Sequence, residues 1–412
     1  MRVLVTGATG YIGGRLVPFL LEAGYDVRCL ARDPSKLAQD PWRDQVEVVG
    51  GDVLDPETLG PALAGCDFAY YLVHSMEGGR GDFQERDRRA ALNFRDAAAA
   101  AGVRRIVYLG GLGRGEALSK HLASRQEVGR ILSSGRTPVT ELRAAVIIGS
   151  GSVSFEMVRY LTEVLPAMVT PKWVRTSCQP IAVHNVLEIL AGALESRDSE
   201  SHVWEIGGPD RLTYEEMMRL YAEEAGLPKR LIIPVPVLSP QLSKHWIGLV
   251  TPLPTGVAKP LVDSLRNEVV VADNSVAERL PRRLIPYREA VREALRRSHD
   301  LKVVTRWSDA APGPAQALPT DPDWAGGTLK VDVRRVASTA TPTAMFWAFA
   351  RIGGDVGYYS FNWAWQLRGL LDSLVGGVGL RRGRRHPEEV RPGEAIDFWR
   401  VTAVEPGRRL QL

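Results

Sequence analysis

Short apolar runs alternate, over the first 150 residues, with longer stretches in which apolar positions recur every three or four residues. The runs predict strands at 2–6, 26–31, 46–49, 67–73, 104–109 and 139–148. The periodic stretches predict helices at 12–23, 57–64, 83–101 and 120–134. Short apolar strands joined by amphipathic helices pair in parallel through right-handed crossovers. The expected fold class is therefore α/β, a doubly wound parallel sheet. Its ligand crevice should lie at the carboxyl ends of the strands.

Beyond residue 150 the pattern loosens. The segment 180–186 leads into a helix at 187–194, and 203–206 reads as a strand followed by a glycine turn. Thr213 is a helix cap with Glu216 three residues on. Residues 228–260 are rich in proline and apolar side chains and include Trp246. They suit a substrate lid, an interfacial surface or irregular packing over the sheet. Four prolines between 308 and 323 mark a linker. Past it, 329–337 alternates like a strand, 343–351 reads as a helix and 398–401 as a late strand. The expected organisation is a main domain at 1–300, a linker at 301–323 and a smaller α+β unit at 324–412.

Composition fits a globular protein, with 45% hydrophobic and 24% charged residues among 412. A net charge of +4 is too small to suggest nucleic acid as a partner. The dense run Arg381-Arg382-Gly383-Arg384-Arg385-His386 is either a solvated loop or a contact for an anion or a membrane surface. Cys29, Cys66 and Cys178 lie far apart, so neither a disulfide framework nor a metal site is expected. No run of 18 apolar residues occurs, and a strand begins at residue 2. Neither a spanning helix nor a signal peptide is expected, and the reducing cytoplasm is the expected location.

The chemistry starts at the N-terminus. Gly7, Gly10 and Gly13 follow the first strand at three-residue spacing, with Thr9, Tyr11 and Ile12 between them, and a helix then begins. A tight glycine turn lets backbone approach a dinucleotide pyrophosphate, and the helix start offers N–H groups and a positive dipole end to it. The second strand ends in Ala31-Arg32-Asp33-Pro34. Ala31 stands where an NAD-selective site carries an acid for the ribose hydroxyls, and Arg32 offers a planar fork for a 2′-phosphate. That favours NADP(H) over NAD(H). Asp33 beside it either competes as that acid or caps the turn with Pro34. Asp52 and Val53 follow the third strand, where they suit the adenine. Leu72, Val73 and His74 end the fourth, where they suit the nicotinamide ribose. His74 reads equally as a structural or solvent-facing histidine.

These pieces resemble the start of an atypical or extended short-chain dehydrogenase/reductase. In ordinary members a Tyr-x-x-x-Lys pair shares one helix face and supplies the general acid or base, and a Ser ends the fifth strand. This chain departs from that pattern. Gly110 and Gly111 occupy the serine region, His121 stands at the tyrosine place and Arg125 at the lysine place. His121 can donate a proton near neutral pH. Arg125 cannot give up its proton, but it can hold hydroxyls or phosphate. Alternatively the site keeps its cofactor and has lost the chemistry. Tyr108 is expected to point within the sheet.

With Gln179-Pro180-Ile181-Ala182-Val183 added, residues 1–300 resemble bacterial NAD(P)H-binding proteins of the NmrA-like and complex I accessory-subunit-like branches, with a Rossmann-like domain. From about 320, Gly353-Gly354-Asp355-Val356-Gly357-Tyr358-Tyr359 and Phe398-Trp399-Arg400-Val401 resemble a DUF2867 domain. That domain is similar to START-like helix-grip folds, which enclose an apolar cavity. The resemblance implies further strands and a long closing helix after Leu412, so the unit reads as incomplete or completed by another chain. An open apolar face would favour a homo-oligomer. Three functions are consistent with the residues. One is an NADP(H) oxidoreductase acting on a hydrophobic small molecule. Another is an NmrA-like nucleotide sensor. The third is a lipid-binding or assembly protein supported by Trp246, Trp363 and Trp365.

Overall fold

A computed structural model describes residues 1–38, 40–73, 83–114, 118–164, 167–195, 200–235, 263–280, 283–299, 305, 333–354, 356–374, 386, 388–392, 394–397 and 399–412. The chain opens with β1 (Arg2–Thr6), α1 (Gly13–Glu22), β2 (Asp26–Ala31), β3 (Glu47–Gly50), α2 (Pro56–Leu63) and β4 (Phe68–Tyr71). It continues through α3 (Phe83–Ala100), β5 (Arg105–Gly111), α4 (Lys120–Ser133) and β6 (Val139–Ala144). After a break come β7 (Ile147–Ile148), α5 (Val153–Val164), β8 (Ala167–Pro171), β9 (Ser177–Cys178), β10 (Ile181–Ala182), α6 (Val183–Gly192) and β11 (His202–Ile206).

Seven strands form one sheet in the order β11-β6-β5-β4-β1-β2-β3, and every neighbouring pair is parallel. This is the expected doubly wound architecture, with β11 as a seventh strand. The central strands are mainly apolar because both faces are covered, and the charged residues Arg28 and Glu141 buried in them are paired, with Glu47 and Arg143. Leu16, Val17 and Leu20 of α1 and Val186, Leu187 and Leu190 of α6 pack on one face. On the other lie Leu59 and Leu63 of α2, Ala90, Ala91, Phe94 and Ala98 of α3, and Val128 and Leu132 of α4. The small residues of α3 recur at helical spacing and let that helix sit close to the sheet.

The strand expected over 139–148 is instead two strands. Leu142 and Ala144 pair with β11, the chain turns at Ala145 and Val146, and Ile147 and Ile148 pair with β10. The change of partner carries the chain out of the sheet and over the strand ends. There β12 (Leu212–Thr213), α7 (Tyr214–Glu224), β13 (Leu231–Val235), α8 (Ser275–Arg279) and α9 (Tyr287–His299) follow. Phe155, Met157, Val158, Met217, Tyr221 and Val291 form a second core on this side. The Thr213 cap forms a full capping box with Glu216.

The C-terminal unit holds α10 (Pro342–Ala350), α11 (Asn362–Leu374), β14 (Ala395–Ile396), β15 (Trp399–Arg400), β16 (Ala403–Glu405) and β17 (Arg409–Gln411). Two expectations change here. Residues 333–337, the described part of the strand expected over 329–337, form no strand and are exposed. The aromatic cluster around Trp363 and Trp365 lies on α11, which the apolar run alone did not show as a helix. The small core of this unit is Phe346, Ala350, Val390, Ile396 and Val401. The stretch around Trp246, the prolines of 308–323 and Arg381 to Arg385 lie outside the described residues. Among the described residues, no helix is long and apolar enough to cross a membrane, and no cluster of side chains could hold a metal. All three cysteines are free and buried.

Candidate active site

The carboxyl ends of the parallel strands open into a cleft of about 450 Å³. At its centre the chain leaves β1 through Gly7, whose φ of +72° favours glycine. A Cβ on Gly7 would lie 2.8 Å from the Leu72 carbonyl oxygen, and one on Gly13 would lie 2.2 Å from that of Gly7. The turn therefore closes only with glycine at these two positions. Gly10 N–H donates to Gly7 O at 2.9 Å. Thr6 Oγ1 donates to Tyr70 O at 2.9 Å and accepts from Leu72 N–H at 3.1 Å, which fixes the end of β4 beside the turn. Ile12 caps α1 without any side-chain bond, and the first turn carries no acidic residue. The helix start is thus left electropositive toward the cleft.

Gly7, Thr9, Gly10, Tyr11, Ile12, Gly13, Arg32, Asp52, Val53, Leu72, Val73, His121 and Arg125 all line this cleft. His74 lies outside the described residues. Arg32 is exposed at the end of β2. Asp33 turns away from it: its carboxylate accepts from Ser35 N–H at 3.0 Å and from Ser35 Oγ at 2.6 Å, capping a short helical turn. Asp52 accepts from Leu54 N–H at 2.9 Å. The Tyr11 hydroxyl is buried and has no hydrogen-bond partner among the described residues. Burial pushes its pKa up to about 12, against the pull of Arg15, whose guanidinium lies 4.6 Å from the ring centroid.

The departures from the reductase pattern fit one another. Arg125 reaches across to donate to Leu109 O, and its Nε is buried with no partner among the described residues. A Cβ at Gly111 would lie 2.9 Å from Leu122 Cδ2 and 3.3 Å from Arg125 Cδ. Glycine at the end of β5 thus makes room for the larger cation on α4. A Cβ at Gly110 would lie 2.9 Å from the carboxylate of buried Glu141, which pairs with Arg143 at 2.7 Å. His121 is buried at 8% exposure and faces the cleft. Tyr108 does not line it. Its hydroxyl donates to Arg125 O at 2.9 Å, and burial raises its pKa.

Sequence reading missed the far end of the cleft. Met157 and Val158 on α5, Tyr214 on α7, and Ser264, Leu265 and Val269 enclose a mostly apolar lobe, and Arg86 of α3 lines the wall. No short motif marks these residues. The signal available was the helical spacing of Phe155, Val158 and Leu161. The lobe is fastened to α4 by Ser119 Oγ and Ser264 Oγ at 2.8 Å, and Ser119 Oγ also caps α4.

Residues 7–147 match the family model of NAD(P)H-binding domains, and residues 324–411 match DUF2867, a family of unknown function. The 3 beta-hydroxysteroid dehydrogenase/Delta 5-->4-isomerase of Mycobacterium tuberculosis is 36% identical over 116 residues, 26% of this chain and 30% of its own. The ceramide reductase of Caulobacter vibrioides is 31% identical over 159 residues, 36% of this chain and 47% of its own. The chain thus spans less than half the length of these curated relatives. The Citrobacter sp. triphenylmethane reductase complexed with NADP(H) superposes with a TM-score of 0.58 at 23% identity, covering 71% of this chain and 99% of that one. This likeness shows the fold. The chain therefore carries a segment that matches NAD(P)H-binding domains and, after it, a segment that matches DUF2867.

Proposed function

We propose that this protein is an NADP(H)-dependent reductase that exchanges hydride with an apolar small molecule. The observation that carries the reading is that the glycine turn and the apolar lobe share one cleft, with His121 and Arg125 in its wall. The glycine cradle and the uncapped start of α1 fit a dinucleotide pyrophosphate. Arg32 holds the 2′-phosphate, a charge-assisted contact that a ribose hydroxyl cannot match. Asp52 and Val53 border the adenine, and Leu72 and Val73 the nicotinamide ribose. Bound NADPH supplies the hydride.

The chain's own residues do the remaining work. His121 gives a proton to the substrate oxygen. Arg125, tied to Leu109 O, anchors ribose hydroxyls or a substrate oxygen without exchanging a proton. Met157, Val158 and Leu265 exclude water and select an apolar body. Two curated relatives are named for reactions on steroids and ceramides, which are apolar molecules.

The test is NADPH consumption with a panel of apolar ketones, aldehydes and enones, repeated with His121→Phe. General acids contribute typically about 10²–10⁴-fold. A loss in that range with nucleotide affinity preserved supports the assignment, whereas unchanged turnover removes it. The absence of the Tyr–Lys pair favours one other reading, a nucleotide sensor. It predicts nucleotide binding, no turnover on any acceptor, and a strong preference for one redox form.

A further inference from the structure

The helices α3 and α4 run side by side. Gln84 Nε2 donates to Lys120 O at 3.4 Å, and Arg88 pairs with Glu127 at 2.6 Å. Between these two rungs lies Asp87, a carboxylate of 4% exposure that does not line the cleft. It accepts a hydrogen bond from Ser124 Oγ at 3.3 Å. Ser124 is three residues after His121, and residues three apart share a helix face. His121 is itself buried. A buried carboxylate on α3 and a buried imidazole on α4 are therefore linked through one helical turn of α4, the carboxylate behind the cleft and the imidazole in its wall. The charge of Asp87 also contributes to raising the pKa of Tyr71 and Tyr108, after burial. Its influence thus reaches the part of α4 to which the Tyr108 hydroxyl is bonded.

We infer that Asp87 is a positioning residue for His121: a buried carboxylate on the neighbouring helix, bonded to Ser124 one helical turn along α4 from His121, that favours the protonated imidazole and holds it toward the cleft. The inference rests on His121 being the proton donor proposed above. A donor must carry its proton near neutral pH, yet burial disfavours the imidazolium. A nearby carboxylate offsets that cost by Coulomb attraction, which is strong where solvent is excluded. Charged and titratable groups on the elements packed here include Arg86 of α3 and Arg125 of α4, which line the same cleft as His121, Lys120 beside it in sequence, the Arg88–Glu127 pair across α3 and α4, and Tyr108 of β5, whose hydroxyl bonds Arg125 O. Asp263 and Arg266 lie on the segment that carries Ser264. The nearby arginines favour the neutral imidazole, so Asp87 must outweigh them and burial together.

The test is a proton NMR titration of the His121 ring in the full chain without added nucleotide, with its signal assigned by His121→Gln. In the unsubstituted chain His121 is expected to titrate at or above about 6.5, the ordinary value. Asp87→Asn should lower that midpoint by about one pH unit, a tenfold loss of protonated imidazole at neutral pH. Ser124→Ala keeps the carboxylate and should move the midpoint far less. A midpoint well below the ordinary value in the unsubstituted chain overturns the inference, and this reading stands even if Asp87→Asn does not fold. An unchanged midpoint in folded Asp87→Asn overturns it too. NADPH binding measured on the same samples separates the two proposals. Binding with no Asp87 effect removes only the positioning role, and an Asp87 effect without binding removes only the reductase.

Discussion

At the scale of single residues, Gly111 and Arg125 are two halves of one change. The side chain missing from the end of β5 is replaced in space by the guanidinium arriving from α4. The sequence showed both departures but not that they touch, because contact across a crossover depends on helix placement rather than spacing. Asp33 is the reverse case. Its two readings were open until its carboxylate was seen bonded to Ser35. With that acid occupied, Arg32→Ala should weaken NADPH binding about ten- to hundredfold and NADH binding little, as measured by fluorescence titration. Equal losses for both would remove the 2′-phosphate assignment. Gly13→Ala places a Cβ 2.2 Å from a backbone oxygen that has no room to retreat. It should cost about 3 kcal/mol in denaturant unfolding and abolish nucleotide binding. A variant that keeps both would show that the turn is not the cradle.

Among elements, those of the sheet were legible because most strands centre on a short apolar run and the helices that flank the sheet have a sheet-facing apolar stripe. β6 and β7 were fused in the reading because Ala145 and Val146 are as apolar as their neighbours, and only the change of partner marks the break. The elements of the apolar lobe were harder to see. α5 and α9 pack on α7, and β8 pairs with β13, away from the main sheet, so no alternation of strand and helix announces them. The start of α7 was legible from Thr213 and Glu216 alone. Thr213 N–H donates to Glu216 at 2.7 Å and the Thr213 hydroxyl does so at 2.8 Å. These bonds, the backbone one first, hold the Glu216 pKa below the usual carboxylate range. A carboxyl with a depressed folded pKa contributes stability above its unfolded value, near 4.3, and loses it as pH falls through the folded value. Thermal unfolding of Glu216→Gln should therefore be lower than that of the unsubstituted chain at pH 7, and the gap should close below about pH 4. A gap independent of pH would contradict this. Thr213→Ala should cost about 1 kcal/mol.

For the whole molecule, the two ends contrast. The nucleotide-binding part buries its apolar residues, whereas α10 and α11 expose Phe349 at 59%, Trp363 at 67% and Leu370 at 59%. Apolar patches of this kind promote association. Sedimentation at rising concentration should show self-association that Trp363→Ser with Leu370→Ser reduces, and a monomer at all concentrations would contradict it. At the other end, a glycine turn, Arg32 and an apolar lobe meet in one cleft. Calorimetric titration of the purified chain with NADPH, NADP+ and NADH tests this nucleotide site most directly. NADPH and NADP+ should bind with similar affinity and NADH at least about tenfold more weakly. Failure of all three to bind would contradict the account and leave the glycine turn a structural feature.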